Sequence, residues 1–404
     1  MKKLLGLISV FVLLLAGCGS SSSSDKVVVW AMGEEGNRLH TLTEEYTADT
    51  GVEVEVVAIP WDQAYEKLST AVASKSGPDV IQMGTSWIPE FGNAGALADL
   101  SEFADGRESF DKDLYFEGSQ DTMFVNDKFV SVPWYVDTRV LYYRTDIVSD
   151  VCGLDTAPQT WDEMLDCSEK LSARGDDQYS VDLDIKDQFF FVQYAWQNGW
   201  VALDENGKVN VTDEKFVEAV DYVRQFAETG ATEFDLGLDI TQTFADGSFP
   251  MFISGPWMVN VINEANPDLV GKYEIAQLPA GDEGSTSLMG GSNLVIFEYS
   301  ENKEGAADLI NWLTTPEVEK EWYEIAASLP SNVNVWDDAE FIESGFMLDV
   351  WKDALEDATG SPMIAEWEKI AQEIVSAQEQ VMVEGKDTDT VIEELQTKID
   401  ALQA

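Results

Sequence analysis

A flat aromatic ring beside a fixed carboxylate can grip a polyol: the ring covers sugar C–H groups, and the carboxylate accepts from hydroxyls. Residues 132–144 (VPWYVDTRVLYYR) place Trp134, Tyr135, Asp137 and Arg139 within a few positions. Pro133 disfavours helix just before it, and the alternation that follows reads as a strand entered from a loop. Similar groupings recur. Glu34 and Glu35 follow the apolar run 27–30, Ser86 and Trp87 follow the run 78–83, and Trp257 follows 249–254. Gly290 and Gly291 lie in the segment 288–293, where bare backbone would approach a ligand or make a tight turn. Each grouping alone also fits a packed strand with a surface acid. Their joint placement is what argues for a site.

Most catalytic chemistries lack their residues. His40 is the only histidine, on a predicted helix, so a serine hydrolase of the usual kind has no base. There is no His/Cys cluster for zinc, no phosphate loop, no GxGxxG and no GxSxG. No acidic loop has the spacing for calcium. No catalytic residue, metal or cofactor is therefore expected. Hydrolysis by two carboxylates stays open, but with 76 acidic residues any pair is uninformative.

The elements that must position these groups begin with a β-α-β-α-β order. Strands are expected over 27–30, 52–59 and 78–83. A helix should start near Asn37 with Leu39, Leu42 and Tyr46 inward. A second should be capped by Asp62, with Trp61, Ala64, Tyr65 and Leu68 at helical spacing. That order predicts parallel strands, and ligands of such sheets sit outside the carboxyl ends. Further on, Thr160 and Glu163 form a capping-box pattern, and Asp213 caps a helix over 214–228. Strands are expected over 249–254, 273–278 and 292–297. Trp196 and Trp200 read as core. Thr315 and Pro316 open another helix, and two amphipathic helices, over 364–382 and 390–402, close the chain.

The N-terminus reads as a processing signal over 1–17, basic and then apolar, ending Leu15-Ala16-Gly17 before Cys18. It resembles a bacterial lipobox, which implies acylation of Cys18; a Ser-rich tether spans 18–24. Roughly 380 residues remain, enough for two cores. The net charge of −52 opposes nucleic acid and anionic ligands and favours cations without opposing neutral ones. In an extracytoplasmic compartment Cys152 and Cys167 form an even pair, open either to a bridge or to two separate buried thiols.

In their order, the lipobox, VVVWAMGEEGN, GPDVIQMGTSWIPEFGNAGALADL, VPWYVDTRVLYYR, PQTWDEM, FADGSFPMFISGPW, MGGSNLVI and NWLTTPEVEKEWYEIAASLPSN resemble the extracellular solute-binding lipoproteins of carbohydrate ABC importers, the maltose-binding-protein-like family. The resemblance covers essentially the whole mature chain. It implies a two-lobed α/β fold with a ligand cleft between lobes joined by hinge crossings. One lobe would take 25–97 plus 287–327, the other 98–286 plus 328–404. It implies a mono- or oligosaccharide ligand, permease subunits as partners, a lipid anchor and a monomer. It places ligand contacts at Glu35, Ser86, Trp87, Tyr135, Asp137, Trp257, Gly290 and Gly291, with Trp336 a further candidate. The alternatives are a cationic ligand such as a polyamine on the same scaffold, or a surface-anchored glycosidase.

Overall fold

The computed structural model describes residues 26–234 and 238–404. The leader, Cys18 and the tether therefore lie outside the described residues. Strands β1 (Lys26–Met32), β2 (Glu53–Ile59) and β3 (Val80–Gly84) alternate with helices, and β1 pairs in parallel with both others. A short ribbon, β4 (Phe124–Val125) with β5 (Lys128–Phe129), precedes β6 (Ser131–Asp137) and β7 (Val140–Arg144). Strands β8 (Val181–Asp182), β9 (Met251–Ser254) and β10 (Tyr273–Ala276) follow. Last come β11 (Leu288–Ile296), β12 (Leu329–Pro330) and β13 (Thr359–Gly360).

Apart from the β4–β5 ribbon, these strands make two separate sheets. The first runs β12-β6-β11-β3-β1-β2, with β13 added beside β11; the second runs β10-β7-β9-β8. Successive side chains of a strand face opposite ways, so each sheet buries two faces. Val27, Val29 and Ala31 enter one core of the first sheet, while Met32, with Ile81 and Met83 of β3, enters the other. In the second sheet Leu141 and Tyr143 face one core, and Val140 and Tyr142 the other. The molecule thus has two lobes. The chain passes between them after Asp137, between β10 and β11, and after β12.

Several expectations are corrected here. The stretch 132–144 is not one strand: β6 belongs to the first sheet and β7 to the second, with Thr138 and Arg139 at the crossing. The expected boundary at 97/98 also moves. Leu100, Phe110, Tyr115, Phe129, Val132 and Trp134 pack in the first lobe's core, because β6 lies between β11 and β12. The first helix begins at Gly33, directly after β1, rather than near Asn37. Asp62 does not cap its helix, which starts at Trp61 after Pro60. The segment 288–293 is not a loop but part of β11, paired with β6.

Other local rules hold. Asp213 accepts from the Lys215 amide and Thr160 from the Glu163 amide, while Glu163 reaches back to the Gln159 amide. Cys152 and Cys167 form a disulfide with Cα atoms 5.1 Å apart, joining helices Thr145–Cys152 and Trp161–Ser172. Helices Trp367–Met382 and Thr388–Leu402 pack on the second lobe.

Candidate functional site

The first sheet's pairing decides which residues share a rim. Strand β11 is antiparallel to both β3 and β6, so β6 runs parallel to β3 and to β1. The carboxyl ends of β1, β2, β3 and β6 therefore lie on one edge. That edge carries Glu35 after β1, Trp61 after β2, Trp87 after β3 and Asp137 at the end of β6. Trp61 stands edge-on to Trp87 with ring centroids 5.6 Å apart, and Tyr65 stands edge-on to Trp87 at 5.8 Å. Gly33, at φ +57°, makes room for the Trp61 indole, which a Cβ there would meet at 2.7 Å.

In the second sheet Val140 pairs with Ser254, so the start of β7 and the end of β9 meet at one edge. Beyond it stand Trp257, at the start of helix Trp257–Ala265, and Asp187. A side chain at Gly255 would collide with the Trp257 ring at 2.1 Å, so glycine lets the indole fold over the strand end. Arg139 joins the two edges. Its Nη1 donates to Asp137 Oδ1 at 3.2 Å, its Nε donates to Asp187 Oδ2 at 3.0 Å, and its guanidinium lies 5.0 Å from the Trp257 ring centre.

Electrostatics follow from this burial. Loss of water pushes the Glu35 carboxyl up to about 7, and the negative charge of Asp137 adds to the rise. Burial also raises Asp137, against the pull of Arg139. Burial works against the Arg139 charge, yet Asp187 and Asp137 hold its pKa above the ordinary value. A hollow of about 70 Å³ lies against Arg139, Asp187 and Trp257. A larger cavity, about 730 Å³, is lined by Phe124, Trp196, Trp200 and Met363 and by none of the strand-end residues named above.

The expected site residues divide. Glu35, Trp87 and Asp137 stand at the carboxyl ends of strands of the first sheet, and Trp257 follows the end of β9 in the second. Ser86 also follows β3, but its hydroxyl donates to Glu368 of the other lobe at 3.2 Å. Tyr135 is set one layer deeper: its hydroxyl receives a hydrogen bond from Gln82 Nε2 at 3.0 Å and lies 3.1 Å from Ser292 Oγ. Gly290 and Gly291 serve strand packing rather than an open backbone surface. A Cβ at either would meet Asp137 Oδ1 at 2.3 Å or the Tyr135 carbonyl at 2.2 Å. Trp336 is a correction: it is buried against Phe116 and Phe341, and its Nε1 donates to the Pro330 carbonyl. Trp61, Arg139, Asp187 and Glu368 were not singled out as site residues. The strand-end rule that marks Trp87 marks Trp61 equally, after β2. No group of acidic, His or Cys side chains among the described residues is placed to hold a metal ion.

Comparison with known proteins bears on the same architecture. Residues 32–320 match the model of the bacterial extracellular solute-binding protein family. A galactooligosaccharide-binding protein of Bacillus subtilis is 25% identical, over 82% of this chain and 80% of its own length. A diacetylchitobiose-binding protein of Streptomyces coelicolor is 24% identical, over 87% and 86%. The solved structure of the sugar-binding protein MalE from Xanthomonas citri superposes with a TM-score of 0.85 at 29% identity, covering 93% of this chain and 97% of that one. With the family model spanning most of both lobes and a two-lobed structure matching nearly end to end, the chain belongs to the bacterial extracellular solute-binding proteins.

Proposed function

We propose that the chain binds a neutral mono- or oligosaccharide between its lobes and passes it, unaltered, to the membrane subunits of an ABC importer. The observation that carries this reading is the presence of accessible rings at the strand-end edge of each lobe, Trp61 beside Trp87 on one and Trp257 beside the Asp137–Arg139–Asp187 group on the other. Trp61 is 40% and Trp257 42% exposed, unusual for indoles unless something covers them. Rings would lie on sugar C–H faces, while Glu35 and Asp137 accept from hydroxyls. The ligands for which the two bacterial relatives are named, both oligosaccharides, support the same class. Micromolar affinity needs about −8 kcal/mol net, within reach of one or two stacked rings and several charge-assisted hydrogen bonds. Closure is selected because the ligand touches both lobes only when they are together. A single chain, acylated at Cys18, would do this at the extracytoplasmic face of the cell membrane.

Titration calorimetry against a panel of mono- and oligosaccharides tests the reading, with chromatography of the ligand afterwards. Stoichiometric binding and an intact sugar are expected. Recovery of shortened products would make the protein a glycosidase, and absence of binding by any saccharide would overturn the assignment.

A further inference from the structure

The hollow beside Trp257 has unmet bonding capacity that ordinary packing does not explain. Arg139 uses Nε and Nη1 on Asp187 and Asp137, and its Nη2 makes no hydrogen bond to any described residue. Gln193 lines the same hollow; its Oε1 is sealed from solvent, and its Nε2 makes no hydrogen bond to any described residue. The remaining lining adds the Asp184 carboxylate and an apolar wall that includes Phe190 and Ile253. The hollow thus offers a donor, an acceptor and an apolar surface in about 70 Å³, room for more than one water at about 30 Å³ each.

Few substituents of a sugar satisfy all three. A hydroxyl meets donor and acceptor but leaves the apolar wall bare. A carboxylate meets Arg139 but faces Asp137, Asp184 and Asp187. An ammonium meets the carboxylates but faces the guanidinium. An acetamido group fits throughout: its carbonyl accepts from Arg139 and Gln193, its N–H donates to Asp184, and its methyl packs on Phe190 and Ile253. We infer that this hollow takes the acetamido arm of an N-acetylated amino sugar, with Arg139 and Gln193 as the residues that select it. The inference rests on the sugar-cleft reading above.

Titration calorimetry of the purified chain with N,N′-diacetylchitobiose, cellobiose and the glucosamine disaccharide tests it, since these share one skeleton and differ only in the C2 substituent of each ring. Diacetylchitobiose is expected to bind at least about tenfold tighter than either of the others, a difference of about 1.4 kcal/mol. Gln193→Leu, which removes the second donor, and Arg139→Lys, which keeps the charge but loses the fork, should each erase most of that preference. Equal or tighter binding of either comparison disaccharide overturns the inference, as does a preference that survives in both variants. Binding of other saccharides but none of these three also overturns it and leaves the sugar-cleft reading standing. If no saccharide binds at all, the sugar-cleft reading falls and the inference with it.

Discussion

Glu35 holds its proton near neutrality because the cleft strips water from it and Asp137 adds negative charge, raising its pKa from 4.5 to about 7. The sign of the linkage is fixed by that direction. A carboxyl raised in the folded state contributes stability fully below its unfolded value and loses it as pH rises through the folded one. Sugar hydroxyls that donate to Glu35 prefer the ionised form, so ligand affinity has the opposite trend. Affinity should rise by about tenfold from about pH 6 to about pH 8 and become nearly flat in Glu35→Gln. Titration of one sugar across that range checks this; a flat profile in the parent protein would remove Glu35 from the contact. The strand-end positions of Glu35, Trp87, Asp137 and Trp257 were legible in the sequence because each follows an apolar run, and a strand's end is where side chains leave the sheet. Trp61 was hidden by helical spacing that it shares with Ala64 and Leu68, although it stands at the helix's first residue, outside the packed stripe. Asp187 sits in a polar loop with no period to single it out, and only folding brings it to Arg139.

Helix Pro316–Ala326 supplies a second buried acid, at the third interlobe crossing. Glu319 is 1% exposed; its Oε2 accepts from the Asn332 amide at 2.9 Å, and its Oε1 lies 2.7 Å from Ser331 Oγ. That same hydroxyl is 3.1 Å from the Pro133 carbonyl, which can only accept. Serine has one proton to give. A neutral Glu319 donating to Ser331, which donates to Pro133, satisfies every atom, in keeping with burial pushing this carboxyl up to about 8. Stability should therefore fall as pH climbs from about 5 to about 8, by roughly 4 kcal/mol at most. Glu319→Gln reproduces the neutral pattern, with its amide nitrogen toward Ser331 and its oxygen toward Asn332. Thermal melts should show it flatter with pH than the parent and at least as stable at neutral pH. A destabilised Glu319→Gln would mean the native group is ionised. In the second lobe the Cys152–Cys167 bond closes a loop of sequence separation 15, so replacing both with alanine should cost about 3 kcal/mol in the unfolding equilibrium. An unchanged denaturation midpoint would show that the link contributes nothing. Elements with a clear period or cap, such as Glu214–Glu228, were readable from the sequence. The lobe boundary was not, because 98–130 is built of short turns whose membership depends on where β6 inserts.

Among the described residues, two main sheets are joined by three passages of chain. Ser86 donates to Glu368, and Lys369 lies 3.9 Å from Glu90, so the first turn of helix Trp367–Met382 touches the facing lobe beside Trp87. The net charge of −52 surrounds a cleft whose centre holds a bonded arginine. A neutral sugar should therefore bind with little change between low salt and about 0.5 M NaCl, where the screening length falls below 10 Å; a polyamine would weaken steeply. The two-lobed plan was legible from the order of motifs. The partition of 132–144 between lobes was not, since an apolar run does not reveal which sheet each half joins. The most direct measurement of the central claim is calorimetric titration of the best-binding saccharide into the parent, Trp61→Ala and Trp257→Ala, one ring from each lobe. Each substitution is predicted to weaken binding by about tenfold or more, from lost ring contact worth upwards of about 1.4 kcal/mol. Parent-like affinity in both variants would contradict a sugar held between the rings of the two lobes.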